Sequence, residues 1–363
     1  MMTKTAPLKQ RKYTPLDGLF RYAEFLNFGE VHIKFDPATG LKAIVAVHNL
    51  KRGPAIGGAR MVRYPSTDAA LEDVLRLAYM MSLKAAMSDL PHGGAKAVLL
   101  APKVIKDRKA FLYAFAEFVD ILGGRYVTAV DSGTSREDMD IIKERTSYVT
   151  CTTEYGELGD PSLHTAVGVV RGIEAAVRFK LDKDKLDDVH VAIQGAGHVG
   201  YLLAKKLCHL GARITMTDVN EAALQRCQKE LSVAVCRPEE IYDVKADVFA
   251  PCALGAVLNL ETIKRLQVSI VAGSANNQLS HHHQSLLMHE RGILYAPDFV
   301  INAGGLIFAA ASYDHQDFNK AAGLVDNIYQ TTLNIFKEAT RLNCATSEVA
   351  ERMAFEKLGF LKS

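Results

Sequence analysis

Residues 189–218 have the sequence VHVAIQGAGHVGYLLAKKLCHLGARITMTD, and they predict a strand, a glycine-rich turn, a helix and a second strand in direct succession. The apolar run at 189–193 is typical of a buried strand, the helix runs through Leu210, and the second strand ends at Asp218. A GxGxxG pattern alone is a weak signal. Between a strand and a helix, with an acid ending the next strand, it indicates a dinucleotide-binding βαβ unit.

Each position of this turn has a separate expected role. Gly195 makes the tight turn, Gly197 lets the backbone approach a pyrophosphate, and Gly200 lets the helix and strand pack closely. His198 and Val199 open the helix, whose N-terminus offers amide donors and positive potential to phosphate groups. The turn therefore predicts a phosphate-binding site.

Asp218 indicates which dinucleotide is bound. Its carboxylate would accept hydrogen bonds from ribose hydroxyls and repel a 2′-phosphate, whereas Arg213 precedes the strand and is poorly placed to bind that phosphate. The sequence therefore predicts NAD rather than NADP. Strands at 246–251 and 268–272 continue the alternation, and the short loops after them lie at the carboxyl edge of the sheet, where ligands bind.

A second informative stretch, residues 80–100, has the sequence MMSLKAAMSDLPHGGAKAVLL. Helical spacing places Lys84 on or beside a buried face, Gly93-Gly94 is expected to help end the helix, and 97–100 predicts a buried strand just after Lys96. Two ammonium groups at such a junction repel each other, and desolvation adds to this, so one lysine pKa should fall. The alternative is that both stems are buried while the charged heads reach water.

The rest of the N-terminal half predicts further α/β structure. Alternating apolar residues at 31–35 and an apolar run at 41–47, joined by a turn, predict a hairpin with a central second strand. Gly57-Gly58 beside a strand predicts either a bulge or close approach of the backbone to a ligand.

Asp131 ends the strand predicted at 126–130, just before a glycine turn and a helix that Ser135 can cap. α/β proteins place their chemistry at such strand ends. A turn-forming aspartate is the alternative interpretation of this position.

Composition narrows the class of protein. A chain of 363 residues, 48% apolar, exceeds one usual core and predicts two domains. A formal charge of +2 gives no general attraction to nucleic acid or acidic membranes. The six cysteines are scattered without a CxxC pair, which indicates reduced thiols in a cytoplasmic protein.

The basic N-terminus lacks a following apolar segment, so a secretory signal is not expected. The histidines at 281–283 are not expected to bind a metal, because no acidic cluster accompanies them.

The motifs GGAK, AVDSGTS, QGAGHVG, FAPCALGAVLN, AGSANNQL and PDFVINAGG resemble the glutamate/leucine/phenylalanine/valine dehydrogenase family over roughly residues 27–354. The flanking GPAIGGARM and STDAALEDVLRL most resemble its leucine dehydrogenase branch. The resemblance implies a substrate-binding and oligomerisation domain with a mixed sheet over 1–150 and a Rossmann-type NAD-binding domain over 151–328. It also implies a C-terminal helix, 329–363, that returns to the first domain.

The resemblance also implies roles for individual residues. Lys96 and Asp131 would be catalytic, and Lys84 would bind the substrate carboxylate. The other substrate contacts would be Gly57, Ile56, Ala129, Asn302 and Val325; the other cofactor contacts would be Thr165, Ala253, Asn276 and Asn302. Glutamate dehydrogenases of the family place a lysine and a serine where Ile56 and Val325 stand here, and asparagine is usual in place of His198.

Together these features predict the NAD-dependent, reversible oxidative deamination of leucine, valine or isoleucine to the 2-oxo acid and ammonium. Phenylalanine dehydrogenase is the alternative within the family. An alternative of another class is a catalytically silent NAD-binding regulatory protein, although the joint presence of Lys84, Lys96 and Asp131 argues against it. A homo-oligomer is expected, without a nucleic-acid or membrane partner. The short segment after Met353 does not favour an octamer.

Overall fold

The computed structural model describes residues 19–253, 255–281 and 283–360, which form two compact units. The first unit contains the described part of residues 1–50, together with Pro54–Ser82 and Gly93–Tyr148. The second contains Lys51–Gly53, Leu83–His92 and the described residues from Val149 onward. The basic N-terminal segment considered above lies outside the described residues.

The helices and strands of the first unit follow one another in α/β order. They are α1 (Leu19–Phe25), β1 (Glu30–Asp36), β2 (Leu41–Asn49), β3 (Ala55–Val62), α2 (Thr67–Met87), β4 (Gly93–Leu100), α3 (Arg108–Ile121), β5 (Tyr126–Val130) and α4 (Arg136–Lys143). The last turn of α2 belongs to the second unit. Ser66 caps the start of α2 by accepting a hydrogen bond from the Ala69 amide, and Ser135 caps α4 as predicted.

The sheet of the first unit has the strand order β1-β2-β4-β3-β5. β2 is antiparallel to β1 and β4, whereas β3 is parallel to β4 and β5, so the sheet is mixed. The predicted hairpin with a central second strand is confirmed. Helix α2 covers one face of the sheet, where Val74 and Ala78 join Ile44 and Val98 in an apolar cluster.

The expectation that Gly93-Gly94 ends the lysine-bearing helix is wrong. Helix α2 ends at Met87, the chain turns through Asp89 at a φ of 55°, and both glycines lie in strand β4. A Cβ atom on Gly94 would lie 2.0 Å from the backbone nitrogen of Ser82 in α2. Gly94 is therefore required because the strand packs closely on the helix. In the sequence alone, a glycine required by such packing cannot be told from a glycine that forms a turn.

The second unit begins with a 3-10 helix at Thr153–Gly159 and continues as alternating strands and helices. These are α5 (Pro161–Leu181), β6 (His190–Gln194), α6 (His198–His209), β7 (Arg213–Thr217), α7 (Glu221–Leu231), β8 (Ala234–Val235), β9 (Val248–Pro251), α8 (Leu260–Arg265), β10 (Ile270–Val271), α9 (Gln284–Glu290), β11 (Leu294–Tyr295), α10 (Asp298–Ile301), α11 (Gly304–Tyr313), α12 (Phe318–Asp326), α13 (Ile328–Leu342) and α14 (Thr346–Lys357). A further 3-10 turn lies at Ile241–Asp243.

The second sheet is parallel and has the order β11-β10-β9-β6-β7-β8. The chain thus starts at the centre, winds outward to one edge, and then crosses back to build the other half. This is the doubly wound order of the dinucleotide-binding fold, and its crevice opens where the strand order reverses, between β6 and β9. The predicted fold class, a mixed-sheet α/β unit followed by a Rossmann-type unit, is confirmed.

The C-terminal helices pack within the second unit. Lys357, at the end of α14, forms an ion pair of 2.7 Å with Asp89, and the Lys51 ammonium lies 4.7 Å from the ring centre of Phe360. Residues of the first half of the chain thus contact its C-terminal end. Among the described helices, none combines the length and hydropathy that crossing a bilayer requires.

Candidate active site

A buried lysine and a carboxylate meet at the end of the first sheet. Strand β4 carries Lys96, which is 4% exposed, and Asp131 directly follows β5. The Lys96 ammonium donates to Asp131 Oδ2, while Oδ1 accepts from the Ser132 amide at 2.6 Å and from Arg60 Nε at 3.2 Å. Every oxygen of this carboxylate therefore has a donor.

Two opposing effects set the protonation of Asp131. Burial alone raises its pKa, because the charged form loses water, but the Lys96 ammonium and the Arg60 guanidinium outweigh that effect. The pKa of Asp131 therefore lies well below its usual range. The carboxylate is therefore ionised at neutral pH and can accept hydrogen bonds from a ligand.

Aliphatic side chains share the sheet face of Lys96. Ile56 of β3 pairs with Gly94, two residues before Lys96, and Ile56 also pairs with Val127, two residues before Ala129. Because side chains alternate along a strand, Lys96, Ile56 and Ala129 point to the same face. Gly57, the next residue after Ile56, lies on the opposite face of the strand, and its carbonyl oxygen accepts a hydrogen bond from the Tyr126 hydroxyl at 2.9 Å.

Two residues that the sequence interpretation did not select lie against the Asp131 carboxylate. A Cβ atom on Gly58 would lie 2.8 Å from Asp131 Cβ and 2.9 Å from Oδ2, so only glycine leaves room for this carboxylate. Arg60 donates to Asp131 and, from its NH1 atom, to Asp73 Oδ2 at 3.0 Å. Their spacing in the sequence could have indicated this, because residues 56, 58 and 60 are two positions apart and therefore lie on one face of a strand.

In the second unit, one amide oxygen is shared by two residues with predicted binding roles. Asn276 Oδ1 accepts from the Lys84 ammonium at 3.2 Å and from Asn302 Nδ2 at 2.9 Å. Asn302 Nδ2 also donates to the Ser274 carbonyl at 3.1 Å, whereas the buried Oδ1 atom of Asn302 has no hydrogen-bond partner among the described residues. A buried unpaired acceptor of this kind suits a carboxamide N–H of a ligand.

The glycine-rich turn has the geometry expected of a pyrophosphate site. Gly195 has a φ of 110°, and a Cβ atom there would lie 2.8 Å from the Ala253 nitrogen. A Cβ atom on Gly200 would lie 2.0 Å from the Gly195 carbonyl oxygen, while the position of a Cβ on Gly197 is open. The backbone is therefore approachable at Gly197, and its neighbours allow the tight turn.

Asp218, which directly follows β7, accepts a hydrogen bond from the glycine-rich turn. Its Oδ2 atom accepts from the Ala196 amide at 2.5 Å, and its Oδ1 atom accepts from the Asn220 amide at 2.7 Å. Arg213 lies at the opposite, starting end of β7. The residues present fit a dinucleotide: Asp218 would accept from its ribose hydroxyls and the unpaired oxygen of Asn302 from its carboxamide.

The remaining predicted residues lie on helices. His198 Nε2 contacts Asp160 Oδ2 at 2.7 Å, and Asp160 caps α5 by accepting from the Ser162 amide. Thr165, also in α5, donates to the Pro161 carbonyl at 2.8 Å. Val199 is half-buried in the first turn of α6, and Val325 is buried in α12.

A metal centre is not formed by the described part of the chain. Within it, no group of three or more histidine, cysteine, aspartate or glutamate side chains could hold an ion. Of the histidine run, His281 and His283 have ring centres 5.5 Å apart, and His282 lies outside the described residues.

These features define a class of protein, the two-unit α/β dehydrogenases. Two family sequence profiles match the chain: "Glu/Leu/Phe/Val dehydrogenase, dimerisation domain" at residues 27–148, and "Glutamate/Leucine/Phenylalanine/Valine dehydrogenase" at residues 215–359. The chain belongs to the glutamate/leucine/phenylalanine/valine dehydrogenase family.

Similar proteins cover nearly the whole chain. Leucine dehydrogenase of Bacillus cereus is 42% identical over 346 residues, which are 95% of this chain and 94% of that protein. Phenylalanine dehydrogenase of Bacillus thermotolerans is 42% identical over 330 residues, 89% of this chain and 86% of that protein. The crystal structure of L-tryptophan dehydrogenase from Nostoc punctiforme has a TM-score of 0.79 at 37% identity and covers 94% of this chain and 98% of its own.

Proposed function

We propose that this protein is an NAD-dependent dehydrogenase of branched-chain L-amino acids, which it converts reversibly to 2-oxo acids and ammonium. The observation that carries the proposal is the Lys96–Asp131 ion pair on the same sheet face as the aliphatic Ile56 and Ala129. A pair of this kind supplies acid–base chemistry, and the aliphatic neighbours select an apolar side chain.

The two halves of the chain have separate tasks in this proposal. Residues 1–150 bind the amino acid and form the oligomer, residues 151–328 bind NAD, and residues 329–363 return to the first domain. The protein works in the cytoplasm as a homo-oligomer. The contacts of Lys357 with Asp89 and of Phe360 with Lys51 support this return, because Asp89 and Lys51 both lie within residues 1–150.

Lys84 holds the α-carboxylate of the substrate by charge and thereby aims the Cα–H bond at the cofactor. NAD, when bound, supplies the hydride acceptor. Loss of hydride and of one proton from nitrogen leaves a substrate iminium, which water attacks. Lys96, once its ammonium has released a proton to solvent, takes a proton from that water and then stabilises the developing oxygen charge as the ammonium, while Asp131 accepts and returns protons at nitrogen. Collapse of the carbinolamine releases ammonium and the 2-oxo acid.

The deciding experiment is a panel of L-amino acids with NAD, followed by the absorbance of NADH. We expect the highest kcat/KM with leucine, isoleucine or valine, and only mild discrimination among them, because one methylene is worth about 1–3 kcal/mol in such a pocket. Phenylalanine as the best substrate would favour phenylalanine dehydrogenase, which the equally similar relative and the small Ala129 side chain support. Turnover of none of these amino acids would favour the silent NAD-binding protein.

Replacing Asp218 should weaken NAD binding and relax the rejection of NADP. Asp218→Ala removes a charged acceptor, a loss of about 1.5–3 kcal/mol or roughly 10- to 100-fold in the KM for NAD. Asp218→Asn is the matched variant, because it can still accept from the Ala196 amide without the charge that repels a 2′-phosphate. The measurement is kcat/KM for NAD and NADP in all three proteins. A wild-type preference for NADP would contradict the assignment.

A further inference from the structure

Arg60 contacts the catalytic carboxylate but has no role in the mechanism described above. It lies on β3, on the same face as Gly58, and its Nε atom is 3.2 Å from Asp131 Oδ1. We propose that Arg60 is a positioning residue that orients the Asp131 carboxylate toward Lys96 and the substrate nitrogen. This inference rests on the proposed function.

The contacts divide the two oxygens of Asp131 between two tasks. Oδ1 accepts from Arg60 and from the Ser132 amide, so its lone pairs are occupied by fixed donors. Oδ2 is left to Lys96 and, when substrate is bound, to the substrate nitrogen. A carboxylate held on one oxygen cannot rotate, and proton transfer at the other oxygen then has a defined direction.

Arg60 is itself held from its outer side. Its NH1 atom donates to Asp73 Oδ2 at 3.0 Å, and the Tyr64 hydroxyl donates to the same oxygen at 2.6 Å. Asp73 lies on α2 and Asp131 follows β5, so one guanidinium bridges a helix and a strand end. The fork of an arginine can make both contacts at once, which the single ammonium of a lysine cannot reproduce.

The charge of Arg60 has a separate consequence. The Arg60 guanidinium, like the Lys96 ammonium, lowers the pKa of Asp131, so this carboxyl loses its proton at lower pH than it would without Arg60. Asp73 pairs with the same guanidinium through its NH1 atom and offsets part of its charge. Removing Arg60 should therefore raise the pKa of Asp131.

The test compares Arg60→Gln and Arg60→Lys with the wild type in pH profiles of kcat/KM for L-leucine. For Arg60→Gln we expect the acid limb to move up by about one pH unit and kcat to fall by about 100-fold. Arg60→Lys keeps the charge but not the fork, so its acid limb should return to the wild-type position while kcat stays reduced. Binding of NADH, followed by its fluorescence, should be unchanged in both.

Arg63→Gln is the matched control. Arg63 follows the same strand and is exposed, and its guanidinium donates to the Lys103 carbonyl. The Arg63→Gln substitution removes the same charge at a residue that does not contact Asp131, so its pH profile should superimpose on that of the wild type. An unshifted acid limb in folded Arg60→Gln, or an equal shift in Arg63→Gln, would overturn the proposal. If Arg60→Gln does not fold, Asp73→Asn replaces it: we expect a lower kcat with an acid limb that stays in place or moves to lower pH, and wild-type kinetics would overturn the inference.

A second readout does not depend on turnover. Carbon-13 NMR of aspartate-labelled protein, with Asp131→Asn to assign the resonance, follows the titration of the Asp131 carboxyl directly. We expect Asp131 to titrate at higher pH in Arg60→Gln than in the wild type, and equal titration would overturn the inference. A wild type without amino-acid dehydrogenase activity would refute the proposed function and leave this readout intact.

Discussion

Replacing Lys96 with alanine should lower the turnover of L-leucine by about two to four orders of magnitude, the scale of losing acid–base and electrostatic help together. Lys96 is buried and its ammonium donates to the ionised Asp131. The neighbouring Arg60 cannot replace Lys96 as a base, because its guanidinium does not lose its proton. The measurement is kcat with saturating leucine and NAD.

Two further variants separate chemistry from binding and folding. Lys96→Met keeps most of the side-chain volume, so it should lose turnover as Lys96→Ala does while retaining more thermal stability. Lys84→Ala should chiefly raise the KM for the amino acid, because in the proposed mechanism Lys84 holds the substrate carboxylate by charge. NAD binding should survive Lys96→Ala and Lys84→Ala. Near-normal turnover in Lys96→Ala would refute the mechanism.

Glutamate should be rejected by at least about a thousandfold in kcat/KM relative to leucine, because a carboxylate desolvated without a partner costs several kcal/mol. Ile56 and Ala129 are buried aliphatic residues on the face of Lys96, and Val325 is buried in α12. None of the three can pair with a carboxylate. A buried methylene of leucine, in contrast, contributes about 0.8 kcal/mol.

L-Glutamine and L-methionine are the matched substrates for this comparison. Glutamine has the shape of glutamate without its charge, and methionine has a similar length without polar atoms. We expect methionine to react better than glutamine and glutamine better than glutamate, as read from NADH formation under identical conditions. Glutamate as the best substrate would refute an apolar pocket.

The sequence by itself predicted the features that depend on neighbours along the chain. The strand, turn and helix around Gly195, the acid at Asp218 and the strand that ends at Asp131 all follow from periodicity and from glycine positions. Periodicity works here because side chains repeat every two residues in strands and every 3.6 residues in helices. The hypothesis that Lys96 is a functional residue came from its apolar surroundings and, more sharply, from the family motif.

The tertiary structure decided which of these residues meet. Lys84 and Asn276 are 192 positions apart, and Arg60 and Asp131 are 71 apart, so no local pattern could link them. The same holds for Gly94, whose need for glycine arises from the backbone of α2 and not from a turn. A residue's partners across a sheet or helix are set by register and packing, which are global properties of the fold. Local sequence therefore determined the elements and the chemical types, and only their packing determined that Arg60, Gly58 and Lys96 surround one carboxylate.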